Sequence, residues 1–217
     1  MNFTWIPAEK GHPIVEFHDV RTEKAQSEHY LNLIDGLGAA FAFSGAHDLG
    51  QFRVAGHPDR LILLRGFASI PARRQALEAF HVTQDWSHQR ANAASLVRNA
   101  EVILTRAVTP AAGIRALRGH EPITAIVSEL RFAEQIGSYH LWLRLLLRKA
   151  RMDPMAAFAT LEAVNDVPAV PVVKNRSQHI ALIRSTGRVP SLPPELRNML
   201  RYPPEILTLE PALTLVW

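Results

Sequence analysis

The feature that most constrains this chain is an order of elements that occurs twice. Ile14 to Val20 alternates as a half-buried strand does, with Val15 and Phe17 against Glu16 and His18. Arg21 to Phe43 has helical spacing, with Tyr30, Leu33, Ile34 and Leu37 on one stripe. Leu49 to Val54 and Leu61 to Phe67 read as strands, separated by the turn Gly56-His57-Pro58-Asp59. Ser69 then caps a helix that has Pro71 in its first turn and turns Leu77 and Phe80 inward. A second helical piece runs from Trp86 to Leu96, and Val102 to Val108 is a fourth strand. The order is β-α-β-β-α-β, the ferredoxin-like split unit.

The second half echoes this order in its letters. Leu61-Ile62-Leu63-Leu64-Arg65 is answered by Ile180-Ala181-Leu182-Ile183-Arg184, and Ser69-Ile70-Pro71-Ala72 by Ser191-Leu192-Pro193-Pro194. Glu16-Phe17-His18 is answered by Glu129-Leu130-Arg131, and Glu101-Val102-Ile103-Leu104 by Glu205-Ile206-Leu207. Glu134 to Arg151 supplies the helix of this half, Met155 to Glu162 a strand, and Asp166 to Val173, with Pro168 and Pro171, a loop. Four echoes in one order point to an old duplication. Thr109 to Pro122, rich in Pro and Gly, joins the halves, so the expected units are 1–110 and 111–217. Each is about 100 residues, small for an isolated core, so their sheets are expected to pack on one another.

Composition removes several kinds of chemistry. The 217 residues include no cysteine, which excludes disulfides, thiolate nucleophiles and cysteine-ligated metals. Of 24 basic residues only four are lysines, so the pI of about 9.8 reflects arginine usage around a net charge of +4. Met1 to Lys10 lacks the pattern of a secretory signal. The apolar run Leu141 to Leu147 is interrupted by Arg144 and falls far short of the about 20 residues of a spanning helix. A cytoplasmic protein without membrane insertion is the expectation.

A more specific resemblance rests on Leu49-Gly50-Gln51-Phe52-Arg53, Pro58-Asp59-Arg60, Leu64-Arg65-Gly66-Phe67 and Ala72-Arg73-Arg74, followed by Ala79-Phe80, Trp86 and Arg90. This run, within 14–108, resembles the NIPSNAP family of the dimeric α/β-barrel superfamily. The second half matches in element order. The resemblance implies an α+β fold in which two tandem ferredoxin-like βαββαβ units close their antiparallel sheets into an α/β barrel. It also implies pairing, as a homodimer or as a pseudo-dimer within one chain. His18 stands where the family favours arginine, and the usual Pro-Gly before the helix is missing.

Strand parity selects the candidate site. Val15, Phe17, Phe52, Ile62, Leu64, Val102 and Leu104 read as one apolar face lying under the helices. The opposite parity gathers Glu16, His18, Gln51, Arg53, Leu63, Arg65, Ile103 and Thr105, which suits the lining of a cavity inside the barrel. Glu16 and His18 are the candidate catalytic pair, as base or proton shuttle, with Arg53 or Arg65 holding an anionic oxygen. The competing explanation is a structural network in which Glu16 pairs with Arg65. Trp86 and His88 are placed at the cavity mouth, Trp86 as a ligand wall or a packing anchor.

Other motifs carry less. No H-x-x-x-H or H-E-x-x-H pair occurs among the ten histidines, and His81, Asp85 and His88 share a face only if one helix is continuous there. No metal or cofactor is therefore expected. Gly36-Leu37-Gly38 lies at a helix end and lacks the third glycine of a dinucleotide fingerprint. Arg144, Arg148 and Arg151 form a basic stripe without interleaved aromatics, read as a solvated face and not as a nucleic-acid site.

The leading function is small-molecule binding through Glu16, His18, Gln51, Arg53, Arg65 and Trp86. The alternatives are a cofactor-independent monooxygenase-like or isomerase-like enzyme, and a protein-interaction module with a filled barrel. A barrel interior packed shut by Leu63, Ile103 and the second-half strands would sink the binding and enzyme readings together, leaving the last.

Overall fold

The computed structural model describes residues 12–108, 121–152, 154–184 and 188–212. The expected junction at 110/111 lies outside the described residues. The first set of elements is β1 (Ile14–Thr22), α1 (Ser27–Gly36), α2 (Gly38–Phe43), β2 (His47–Val54), β3 (His57–Phe67), α3 (Ile70–His81), α4 (Gln84–Leu96) and β4 (Val97–Ala107). The second is β5 (Ile123–Glu129), a 3₁₀ turn at Ala133–Gln135, α5 (Ile136–Lys149), β6 (Pro154–Thr160), β7 (Gln178–Arg184), α6 (Pro194–Met199) and β8 (Glu205–Pro211).

All strand pairs in the sheet are antiparallel, and they close into one barrel in the order β1-β3-β2-β8-β5-β7-β6-β4. In each set the first and third strands are central, the ferredoxin-like order. The outer strands meet across two seams, β2 with β8 and β4 with β6. The seam β2–β8 runs through Phe52↔Pro211, Arg53↔Glu210 and Val54↔Leu209. Two ferredoxin-like units therefore form an α/β barrel within a single chain, and the edges that would otherwise stay unpaired are used up. No helix among the described residues is long and apolar enough to cross a membrane.

The barrel interior is filled. Phe17, Phe52, Leu64, Ile103, Phe158 and Leu182, from six different strands, belong to one buried apolar cluster. Eight strands enclose a space that side chains just fill. The expectation of a cavity inside the barrel is therefore reversed: the apolar parity faces inward, and the parity of Glu16 and His18 faces the helices. The partition of β4 is also corrected. Across the β1–β4 ladder Glu16 faces Leu104 and His18 faces Val102, while Ile103 stands opposite Phe17 and Thr105 opposite Val15. Val102 and Leu104 thus share the helix-side face with Glu16, and Ile103 and Thr105 belong to the interior. Alternation within β4 is visible in the letters, but its registration against β1 is a tertiary fact.

The same limit applies to the echoes. Leu61 packs on the helix side, whereas Ile180 is in the barrel interior, so those two segments correspond with a one-residue slip. Ile103 and Leu207 both point inward and do correspond. The helix expected over Arg21 to Phe43 begins only at Ser27 and divides at Leu37, as the Gly36-Leu37-Gly38 break foretold. Ser69 caps α3 by accepting from the Ala72 amide at 3.1 Å, and Thr83 caps α4. In the second unit α6 has six residues, and no helix among the described residues takes the place of α4.

Candidate functional site under the helices of the first unit

Glu16 and His18, two residues apart on a central strand, are directed against α1, α3 and α4 by the pleat. His18 Nε2 lies 2.9 Å from Glu16 Oε2, and Arg73 of α3 donates from Nε to Glu16 Oε1 at 2.6 Å. Glu16 and Arg73 are fully buried. Burial alone would raise the Glu16 pKa. The His18 hydrogen bond and the Arg73 and Arg65 charges outweigh it and hold the carboxyl down at about 2. Burial and then Arg65 push His18 below the usual imidazole range, against the pull of Glu16. Because Arg73 already compensates the carboxylate, the pair at neutral pH is ionised Glu16 and neutral His18.

That assignment sets the tautomer. An ionised carboxylate only accepts, so His18 Nε2 carries the proton and Nδ1 keeps its lone pair. Nδ1 has no hydrogen-bond partner among the described residues, and His18 lines a cavity of about 370 Å³ between sheet and helices.

Arg65 of β3 faces Glu16 on one side and Asp48 on the other. Its guanidinium carbon sits 4.6 Å from the centre of the Phe41 ring. Neither a hydrogen bond nor an ion pair joins Arg65 to a described residue, and it too lines the cavity. Gln51 donates to Asp48 at 2.8 Å along the same wall. Phe80 and Trp86 stack 5.2 Å apart and, with Tyr30 and Phe41, make much of the lining aromatic. His81 lies in the same wall, its pKa lowered by burial and then by Arg65 and Arg90.

The second unit completes the enclosure. Ala169, Val170 and Pro171 line the cavity, and the chain just beyond them is pinned to β4 by the Val173 amide donating to Val102 O at 2.9 Å. The same segment reaches Arg73, whose Nη1 donates to Asp166 at 3.2 Å. Arg73 Nη2 is buried without a partner among the described residues.

His18, Gln51, Arg65 and Trp86 all line this cavity, with Glu16 directly behind His18. Arg53 does not join them. It forms a two-point pair with Glu28 of α1, both distances 2.6 Å, on the seam strand β2. The partner hydrogen-bonded to Glu16 is Arg73, not the expected Arg65. A signal for it existed: Arg73 falls at i, i+4 and i+7 with Leu77 and Phe80, a charged residue on an apolar stripe. Tyr30, His81 and Arg90 also line the cavity, although strand parity could not find them because they belong to helices.

His81 separates from Asp85 and His88, because α3 ends at His81 and Thr83 starts α4 in a new direction. Asp85 and His88 line another groove, so His88 is not at this cavity's mouth. No group of three metal-ligating side chains occurs among the described residues.

No family model and no curated protein matches the chain. Solved structures do. A candidate monooxygenase from Lactobacillus acidophilus is 9% identical, with 92% of this chain and 94% of that one covered and a TM-score of 0.55. A second, from Fusobacterium nucleatum, is 7% identical over 96% and 94%, with a TM-score of 0.53. The chain shares their fold. An uncharacterised NIPSNAP domain protein from Burkholderia xenovorans is 13% identical and covers 42% of this chain and 90% of its own, with a TM-score of 0.38. NIPSNAP proteins are thus among the structural neighbours, each of those found spanning less than half of the chain.

Proposed function

We propose that this NIPSNAP-like barrel protein binds a small anionic molecule in the cavity between the first sheet and its helices. The observation that carries this reading is Arg65. A half-buried guanidinium without a hydrogen-bonded partner among the described residues, over the Phe41 ring and facing an aromatic-walled cavity, favours an anion with a planar body. The filled barrel removes the interior cavity on which the sequence-based expectation of binding stood; the present reading rests instead on a different cavity, between the sheet and the helices. One chain acts as its own pseudo-dimer, the second unit supplying the 169–171 wall.

The test is calorimetric titration with benzoate, a planar carboxylate. Arg65→Gln is expected to weaken binding by about tenfold or more, the range of a charge-assisted hydrogen bond. Arg53→Gln should leave it unchanged. Equal weakening by both variants, or none by Arg65→Gln, would refute the assignment.

The Glu16–His18 geometry favours one second reading, an enzyme that removes a proton from the bound molecule. His18 Nδ1 would take the proton from an acidic C–H or O–H, and Arg65 would hold the oxyanion left behind. In a protein found to turn over such a substrate, His18→Ala at full rate would exclude the base role.

A further inference from the structure

We propose that the groove over β5 and β8 in the second unit is a separate ligand site, one that takes a small amphiphilic anion, a carboxylate or phosphate on an apolar body. Its floor is the helix-side face of two paired strands, Thr124 opposite Thr208 and Ile126 opposite Ile206. In the first unit the corresponding β1–β4 face lies beneath α3 and α4, of 12 and 13 residues, whereas here the helix after the third strand is the six-residue α6. The face stays open among the described residues, and Ile206 is 51% exposed on it. The recess has a volume of about 680 Å³, within the range of small-molecule sites.

The charge of this groove has one sign. Arg131, Arg188, Arg197 and Arg201 line it, and no aspartate or glutamate does. Two of the four are placed by a short backbone ladder: the Arg131 amide donates to Met199 O at 2.9 Å and the Arg201 amide to Glu129 O at 2.8 Å. Arg131 spends Nε on Leu200 O, which leaves its two terminal nitrogens, and Arg201 has an ion pair with Glu129 at 3.3 Å. Arg188 and Arg197 have no ion pair with a described residue and supply the uncommitted charge. Guanidinium forks match carboxylate and phosphate oxygens, while the apolar floor of Ile126 and Ile206 suits an aliphatic or aryl body. The groove is concave but open, so adsorption to a bilayer surface is the outcome the test has to separate. None of its lining residues belongs to the cavity around Arg65.

Isothermal titration of the full chain with decanoate, decanol and inorganic phosphate tests the site. Decanoate is expected to bind one per chain, at least tenfold tighter than either decanol or phosphate. The double variant Arg188→Ser/Arg197→Ser, which removes no side-chain hydrogen bond or ion pair to a described residue, should weaken decanoate at least tenfold, and Ile206→Asp should abolish its binding. Arg65→Gln should weaken benzoate but leave decanoate binding to this groove unchanged, which separates this site from the one proposed above. The proposal is overturned if decanoate does not bind, if the double variant binds it as well as the parent, or if Arg65→Gln removes it. It is equally overturned if phosphate matches decanoate, or if the arginines matter only for adsorption to phosphatidylglycerol vesicles.

Discussion

The two units build the same sheet and cover it with opposite chemistry. Beneath its helices the first unit buries a charged set, Glu16, Arg73 and the imidazole of His18. The second buries a neutral set: Ser128 within 2.8 Å of the Tyr139 hydroxyl, and His140 Nδ1 within 3.0 Å of His179 Nε2. Around the neutral set the face is apolar, with Ile126, Leu130, Leu143 and Leu147 in one cluster. A charged set requires a partner for every charge and tolerates little rearrangement. The neutral set needs only hydrogen bonds. The first unit therefore covers its charged set with helices, and the second leaves part of its face open among the described residues.

The largest effect should come from breaking the charged set. Arg73→Leu leaves Glu16 buried without its main countercharge, an expected loss of about 3–5 kcal/mol of unfolding free energy by urea titration. The double variant Glu16→Leu/Arg73→Leu should recover most of it, since neither member of the pair then leaves a charge buried without its partner. A small loss for the single variant would mean that the two units do not differ as described.

Acid should sharpen the comparison from the other side. Burial and then His140 depress the His179 pKa to about 3. The unfolded chain then takes up a proton first, so stability present above the ordinary imidazole value of 6.5 is lost as pH falls from there toward 3. The expected slope is about 1.4 kcal/mol per pH unit for this one group. His18 adds to the loss in the same direction. Glu16, held at about 2, adds its share only below the ordinary carboxyl value of 4.5. Urea midpoints between pH 6.5 and 5 should fall less steeply in His179→Phe. An unchanged slope would show His179 protonated in the fold.

The smallest effect is expected at Arg53. Arg53 and Glu28 form a well-aligned but largely solvated pair. Arg53→Ser should shift stability by less than about 1 kcal/mol. A loss comparable to Arg73→Leu would make Arg53 part of the buried set after all.

How much of this was legible depends on the length scale of each cause. Periodicity and caps act within a few residues, which is why the strands around Val15 and Ile62 and the Ser69 cap stand in the letters. Arg53 shares its strand parity with Gln51, yet it pairs with Glu28 of α1, 25 residues earlier in the chain, instead of joining the cavity. Arg73 was visible as a charge on an apolar stripe, but its partner lies 57 residues earlier in the chain. Asp166, from the other unit, had no local signal at all.

The sequence by itself determined the order of elements, the duplication and the set of polar residues on one face of β1 and β3. Alternation is a property of one strand, and it needs no neighbour to be read. Tertiary structure decided which face turns inward, because closing eight strands leaves an interior narrow enough to be filled by side chains and puts the opposite face under the helices. It also decided that Glu16 answers to Arg73, that a segment of the second unit walls the first unit's cavity, and that the second sheet keeps an arginine-lined groove. Those outcomes depend on which distant segments a closed barrel brings together, and no spacing along the chain records that.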